Sequence, residues 1–276
     1  MDFKKSKAFT IIELLLVIAI IGLLSSAVLV STKRAKKQAE LAKRKTFSQS
    51  IKNALGAYII SEYTFDNAVS SACGSPTMGS VLDDSGNGNV GAISCFSAVS
   101  SGLQNKSIES AGETYFFSSP YKPSQDIKSG NVSAEFWMYP YTPILAPFGI
   151  SFKFLERAES YGLYYGRQGG NQGLWFDVCR MVVGNSCSDT CTAFKSTSSF
   201  TEIFEMNEWN HIAVTYENIT GTGKIYINTN LVAVSACSPG KVYNSISGGW
   251  GSDAFVNFFS GLTAKFDNLR IYDGAF

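Results

Sequence analysis

The sequence predicts a long N-terminal α-helix followed by an all-β antiparallel sandwich or barrel, and three observations predict it. Leu14 to Val30 contains no charged residue. Beyond it, Ala35, Ala39, Ala42, Phe47, Ile51, Leu55 and Tyr58 recur mostly three or four apart, which makes one stripe of an amphipathic helix. From about residue 64 the chain becomes rich in Gly, Ser, Thr, Asn and aromatics, in short alternating segments parted by turn residues.

The helix is expected from about Thr10 to Tyr58, because no proline precedes Pro76. At 1.5 Å per residue it would span on the order of 70 Å. Its first half suits a membrane; its second half would dock the stripe on the β domain. Gly22 and Gly56 are its weak points. Strands are expected at Val132–Tyr139, Phe148–Phe154, Tyr161–Tyr165, Leu174–Cys179, Trp209–Tyr216, Lys224–Asn228, Leu231–Val234 and Ala264–Tyr272.

One carboxylate, Glu13, sits at the edge of the apolar run, behind a leader with Lys4, Lys5 and Lys7. A charge at membrane depth is expensive without a partner. The stretch Lys7-Ala8-Phe9-Thr10-Ile11-Ile12-Glu13-Leu14-Leu15-Leu16-Val17 resembles the class III signal of type IV pilins and type II secretion pseudopilins. The resemblance implies a leader of residues 1–8, cut by a prepilin peptidase between Ala8 and Phe9, where family members usually carry Gly before the cut. It implies N-methylation of Phe9 and a helical segment over residues 9–61 that packs with other pilin subunits. Glu13 would then pair with the α-amino group of a neighbouring subunit, since a buried charge persists only beside a partner. The location implied is the bacterial cytoplasmic membrane before assembly, then a surface filament. Two alternatives are an ordinary single-pass anchor and a secretory signal cleaved near Ser25-Ser26-Ala27.

Three later segments resemble laminin-G-like, concanavalin-type jelly rolls: Asp83-Asp84-Ser85-Gly86-Asn87-Gly88-Asn89-Val90-Gly91, Glu208 to Tyr216 with Gly223 to Asn228, and Phe266 to Tyr272. Their order fits one jelly-roll sandwich over residues 62–276, with Tyr63-Thr64-Phe65-Asp66 as first strand beside the last. The resemblance implies a structural calcium ion held by Asp66, Asp83 or Asp84, Asn87 and Asp267, since oxygen-rich loops suit this hard cation. The same residues serve equally as turn formers.

Charged residues make up 16% and the formal net charge is +1, so nothing favours a nucleic-acid partner in bulk. Lys33, Arg34, Lys36, Lys37, Lys43, Arg44 and Lys45 cluster after the apolar run. That flank argues for a cytoplasmic C-terminal part. The cysteines argue the opposite: Cys73, Cys95, Cys179, Cys187, Cys191 and Cys237 all follow the helix and suggest disulfides in an oxidising compartment. Export is the expected outcome, since the prepilin signal keeps the leader inside. Cys73 with Cys95 is the natural pairing, leaving the later four to pair among themselves. Cys187 and Cys191 have half-site spacing for zinc, but no second pair supports a metal.

Catalysis is not expected. His211 is the single histidine and sits between Asn210 and Ile212 at a predicted strand start, without a nucleophile beside it. A glycosidase needs two facing carboxylates. Glu135, Glu156, Glu159 and Asp177 lie scattered over separate segments, and Glu202, Glu205 and Glu208 carry helical rather than strand spacing. A glycan or surface-protein ligand would meet exposed aromatics. Trp137, Trp175 and Trp209 fall within strands and are expected in the core; Trp250, in a Gly-rich loop, is the candidate contact, with Tyr164 and Tyr165 behind it. The function expected is a pilin-like subunit displaying a binding domain for adhesion. A membrane-anchored lectin-like receptor and a surface glycoside hydrolase are the alternatives.

Overall fold

One helix, Ile11–Leu55, opens the computed structural model. The structure describes residues 10–70, 72, 78–99, 101–110, 116–120, 122–143, 151–157, 160–168, 171–181, 189–244, 247–248, 252–253, 255–258 and 263–276. Two compact units divide the chain, Met1–Thr46 and Phe47–Phe276. In the first unit the apolar side chains of Ile11, Leu15, Leu23 and Leu29 are all exposed. The most apolar window of this helix has a mean hydropathy of 2.8 and none of it is buried, a length and composition that suit a membrane span.

In the second unit the helix gives way at Gly56 to a single 3-10 turn, Gly56–Tyr58. The first strand follows at once, Ile59–Tyr63. It starts earlier than the sequence predicts and stops before Phe65, whose φ of 60° breaks an extended run. Asp66 therefore lies in a turn beyond the strand, not within it.

Two antiparallel sheets face each other. The first runs in space Asn230–Ala236, Thr222–Ile227, Asn210–Glu217, Val132–Pro140, Ala264–Tyr272, Ser107–Ser110, Phe96–Val99, and Ile59–Tyr63 also pairs with Ala264–Tyr272. The second runs Asp189–Ser196, Asn171–Met181, Tyr161–Gln168, Ser151–Arg157, Phe255–Phe258, Phe116–Pro120, Gly91–Ser94, Gly79–Val81, with Lys241–Val242 paired to Asn171–Met181. Ala264–Tyr272 matches its expected bounds, and Val132–Pro140 differs from them by one residue. The strands Gly79–Val81, Gly91–Ser94, Phe96–Val99, Ser107–Ser110 and Asp189–Ser196 carry no clear apolar alternation and were not expected.

Between the sheets lie Phe65, Phe117, Phe136, Phe154, Leu163, Tyr165, Phe176, Ile225 and Phe266, all essentially inaccessible. Each such side chain contributes roughly 1.5–3 kcal/mol by leaving water. Tyr165 is one of these core residues, so it is not the ligand contact the sequence suggested: its side chain points inward from an alternating strand.

The outer face of the first sheet has its own cover. Ile51 and Leu55 from the last helical turns pack on Ala213 and Tyr272, joined by Phe47, Ile59, Tyr226 and Phe276. The stripe expected to dock on the β domain does so through these residues. Asp273 closes the arrangement by donating its backbone N–H to Tyr58 O at 2.8 Å, so the chain's entry and exit to the sandwich are adjacent.

Candidate functional site

At the head of the helix, Thr10 and Glu13 cap one another. Glu13 Oε2 accepts from the Thr10 N–H and from Thr10 Oγ1, both at 2.8 Å, and Thr10 Oγ1 accepts from the Glu13 N–H at 3.2 Å. This reciprocal arrangement satisfies donors that a helix start leaves open. The processing residues Ala8 and Phe9 lie outside the described residues.

The residues suggested for calcium fall in two places. Asp83 and Asp84 bind the first strand through backbone and side-chain donors: Asp83 Oδ1 accepts from Glu62 N at 2.9 Å and Ser85 N at 3.0 Å, Asp83 Oδ2 from Asn89 N at 2.8 Å, and Asp84 Oδ2 from Thr64 Oγ1 at 2.7 Å. Asn87 donates to Ile59 O and Ile60 O. These contacts are those of a turn clamp. Asp66 and Asp267 meet elsewhere, around the 101–106 loop. Asp66 Oδ1 accepts from Lys106 N at 2.9 Å and Asp267 Oδ2 from Leu103 N at 2.7 Å. Burial pushes the Asp267 carboxyl up to about 7, and the Asp66 charge nearby adds to the rise. No group of three or more His, Cys, Asp or Glu able to hold a metal occurs among the described residues.

Under the docked helical turns lies a buried charged network that sequence reasoning did not find. Glu135, fully inaccessible, accepts from His211 Nε2 at 2.7 Å, from Tyr272 OH at 2.8 Å and from Arg270 Nη1 at 3.1 Å. Arg270 Nε also donates to Glu62 Oε1 at 2.7 Å, which Lys52 Nζ meets at 2.6 Å. Two carboxylates thus face two cations. Burial raises the Glu135 carboxyl, but the His211 hydrogen bond and the Arg270 charge outweigh it and hold it below the usual carboxylate range. The same balance, with Lys52 and Arg270, lowers Glu62. His211 is locked between Glu135 and the rings of Trp137 and Phe47, at 4.9 and 5.7 Å. His211 is thus wholly inaccessible, with its Nε2 engaged by Glu135.

On the outer face of the second sheet, register unites two carboxylates that looked unrelated in sequence. Gly162 pairs with Glu156 on one side and Asp177 on the other. A Cβ at Gly162 would meet the Tyr164 hydroxyl at 2.2 Å, so the bare position lets Tyr164 fold over it. Tyr164 OH donates to Glu156 Oε1 at 3.2 Å and its ring stacks on Trp175 at 5.7 Å. Desolvation raises Asp177, against the hydrogen bonds from Thr192 and Trp175. Tyr164, Asp177, Tyr161, Thr190 and their neighbours line a cleft of about 180 Å³. That is below the roughly 300–1,000 Å³ of ordinary small-molecule sites, so it admits one small polar group. Glu159 and Trp250 lie outside the described residues.

Of the expected core tryptophans, Trp137 and Trp175 are buried. Trp209 is not: it stands one residue before the strand Asn210–Glu217 and is half-exposed. Cys191 bonds Cys237, with Cα atoms 5.8 Å apart. Cys95 and Cys179 are also disulfide-bonded. Cys73 and Cys187 lie outside the described residues.

Comparison with known proteins gives two family matches. The prokaryotic N-terminal methylation motif matches residues 3–29. The concanavalin A-like lectin/glucanases superfamily, in its laminin-G form, matches residues 117–276. Comparison with curated proteins found no match. Among solved structures, the binding domain of Paraclostridial Mosquitocidal Protein 1 is similar at TM-score 0.54 and 16% identity, over 80% of this chain and 50% of that one. The binding domain of botulinum neurotoxin serotype D is similar at TM-score 0.52 and 13% identity, over the same shares. The chain thus spans about half the length of these structures, and at such identities the likeness shows the fold alone. The laminin-G match takes in more than half of the sequence. From its two matches, the chain carries a pilin-type methylation signal and belongs to the concanavalin A-like lectin/glucanases superfamily.

Proposed function

We propose that this protein is a subunit of a type IV pilus or type II secretion pseudopilus that displays its sandwich at the cell surface for adhesion. The observation that carries the reading is the order of parts: a methylation motif, an exposed apolar helix, then a lectin-type domain. Two similar structures are binding domains, of Paraclostridial Mosquitocidal Protein 1 and of botulinum neurotoxin serotype D, which supports a binding role here. In this reading Ala8–Phe9 is the prepilin peptidase site, and the protein waits in the cytoplasmic membrane until its helix joins those of other subunits. Mass spectrometry of protein from whole cells tests it. An N-methylated Phe9 terminus supports the reading; an intact Met1 on surface-exposed protein sinks it.

The Thr10–Glu13 cap gives the runner-up, a single-pass lectin-like receptor, a specific support, because Glu13 then has a partner within its own chain. Absence of the wild type from filaments favours the receptor. Loss of filament incorporation in Glu13→Ala with the sandwich still folded supports pairing with the neighbour's α-amino group, and normal incorporation of that variant counts against the pairing.

The reading is of binding without turnover. Glu156 and Asp177 stand two strands apart, about 9.6 Å between backbones. Hydrolysis of any glycan that disappears in Glu156→Gln would replace binding by glycosidase activity. A structural calcium ion belongs to the same proposal. Asp66 and Asp267 are the residues that would hold it, supported by the raised Asp267, whose charge a divalent cation would stabilise. Calorimetry with added calcium decides: absence of both heat and a melting shift refutes the ion.

A further inference from the structure

A row of side chains crosses the outer face of the first sheet, on the other sheet from Tyr164. Strand register sets Tyr139 opposite Lys265, Lys265 opposite Glu109, and Glu109 opposite Ser97. Their strand neighbours Met138, Ala264, Phe266 and Ile108 point into the core, so these four point out. Trp209 extends the row at its other end, with its ring 5.6 Å from that of Tyr139. Tyr141 lies beside it, 5.5 Å from Tyr139. From Tyr139 to Ser97 the row covers three strand spacings, about 14 Å.

We propose that this row is a binding platform for a neutral oligosaccharide. Three features select that ligand. Trp209, Tyr139 and Tyr141 are all half-exposed, whereas Trp137, two residues along the same strand, is buried. Tyr139 meets Trp209 and Tyr141 edge-on and Lys265 stands over one side of the two tyrosines, and the ring surface left half-exposed gives the C–H groups of a sugar an apolar rest. Next to the rings stand one donor and one acceptor. Lys265 Nζ lies 5.5 Å from the Tyr139 ring centre and 5.8 Å from that of Tyr141, and donates to Ser101 Oγ. An ammonium has three donors, so others remain for ligand hydroxyls. Burial and the neighbouring Glu109 carboxylate raise the Tyr141 hydroxyl, and the Glu109 oxygens have lone pairs to accept from ligand hydroxyls. An anionic ligand would meet Glu109 and a cationic one Lys265, while a polyhydroxylated neutral chain satisfies both. The straight row suits several consecutive sugar rings rather than one. This inference rests on the binding role proposed above and supplies its site and ligand class.

The test has two arms, both with the full chain. In the first, purified protein in detergent is titrated with neutral gluco-, manno-, galacto- and arabino-oligosaccharides, followed by tryptophan fluorescence. Wild type is expected to bind at least one series. Trp209→Ala and Glu109→Gln are expected to weaken it at least tenfold, with the melting temperature of Glu109→Gln unchanged. Trp209→Phe, which keeps a ring, is expected to retain part of the binding. Binding unaffected by these substitutions overturns the platform, as does binding of acidic sugars only. In the second arm, cells displaying the variants are scored for adhesion. Adhesion that persists in Trp209→Ala and resists competing sugar overturns the platform and leaves the adhesive role standing. Adhesion to a protein-coated surface that depends on Trp209 overturns the saccharide as occupant. A wild type that neither binds neutral sugars nor adheres overturns both.

Discussion

Removing the Glu135 carboxylate is expected to destabilise the sandwich severely. Glu135 is fully inaccessible and receives three donors, from His211, Tyr272 and Arg270. Glu135→Ala leaves the Arg270 guanidinium with one carboxylate fewer and strips two further donors of their acceptor. Breaking a buried pair from one side costs about 3–5 kcal/mol. For a domain of this size each kcal/mol lowers Tm by about 2–4 °C, so the expected loss is about 6–20 °C. Thermal unfolding followed by near-UV circular dichroism reads it. Replacing Glu135 and Arg270 together by leucine removes both charges and is expected to recover at least half of the loss, since no lone buried charge then remains. A Tm within 3 °C of wild type for Glu135→Ala, or additive single effects in the double variant, would refute the reasoning. Acid provides a second reading of the same network. Glu135 and Glu62 both have lowered folded pKa values, so their contribution is present above the ordinary carboxylate range and disappears as pH falls through the folded values.

Asp267 acts in the opposite sense. Its folded pKa is raised to about 7, so its contribution is fully present below its unfolded value of 3.8 and is lost as pH rises through 7. Melting scans should show stability rising on acidification from pH 8 to pH 5, by a few kcal/mol at most, and a flat profile in Asp267→Asn would confirm the source. Cys191 and Cys237 close a loop with a sequence separation of 46 residues. Replacing both by serine is expected to lower stability by up to about 4 kcal/mol in the chain-entropy account, measured by denaturant unfolding; no change would put the native bond under compensating strain. A chain beginning at Glu62 would lack Phe47, Ile51, Lys52 and Leu55 and expose the Ala213–Tyr272 face. It is expected to aggregate or bind a hydrophobic dye, whereas one beginning at Lys45 is expected to stay monomeric in gel filtration.

Local patterns were legible and long-range ones were not. The helix and the strand Ala264–Tyr272 show in their own periodicity, because a stripe or an alternation is written in consecutive residues. The sequence places the first strand too late because Phe65 is apolar and looks like a strand residue, while its left-handed backbone is invisible in the sequence. Trp209 reads as a core residue because it directly precedes an apolar strand, but the alternation that puts Ile212 and Val214 in the core leaves Trp209, like Ala213, on the outer face. The network joining Lys52, Glu62, Glu135 and Arg270 was out of reach, since Glu62 and Arg270 stand 208 positions apart. Glu156 and Asp177 looked scattered until register placed both beside Gly162. Ligand constellations in such folds are assembled by strand pairing, and pairing is set by the whole domain.

The strand Ala264–Tyr272 has a mechanical consequence. Its first half carries Lys265 of the aromatic row, and its second half pairs with Ile59–Tyr63, the segment tied directly to the helix. A bulge between Asp267 and Arg270 divides the halves. Tension between a bound ligand and an anchored helix would therefore travel along one strand and across one short ladder, bypassing most of the sandwich. Force spectroscopy on the tethered protein is expected to show release of Ile59–Tyr63 before any unfolding of the second sheet. A first rupture within that sheet would place the load elsewhere.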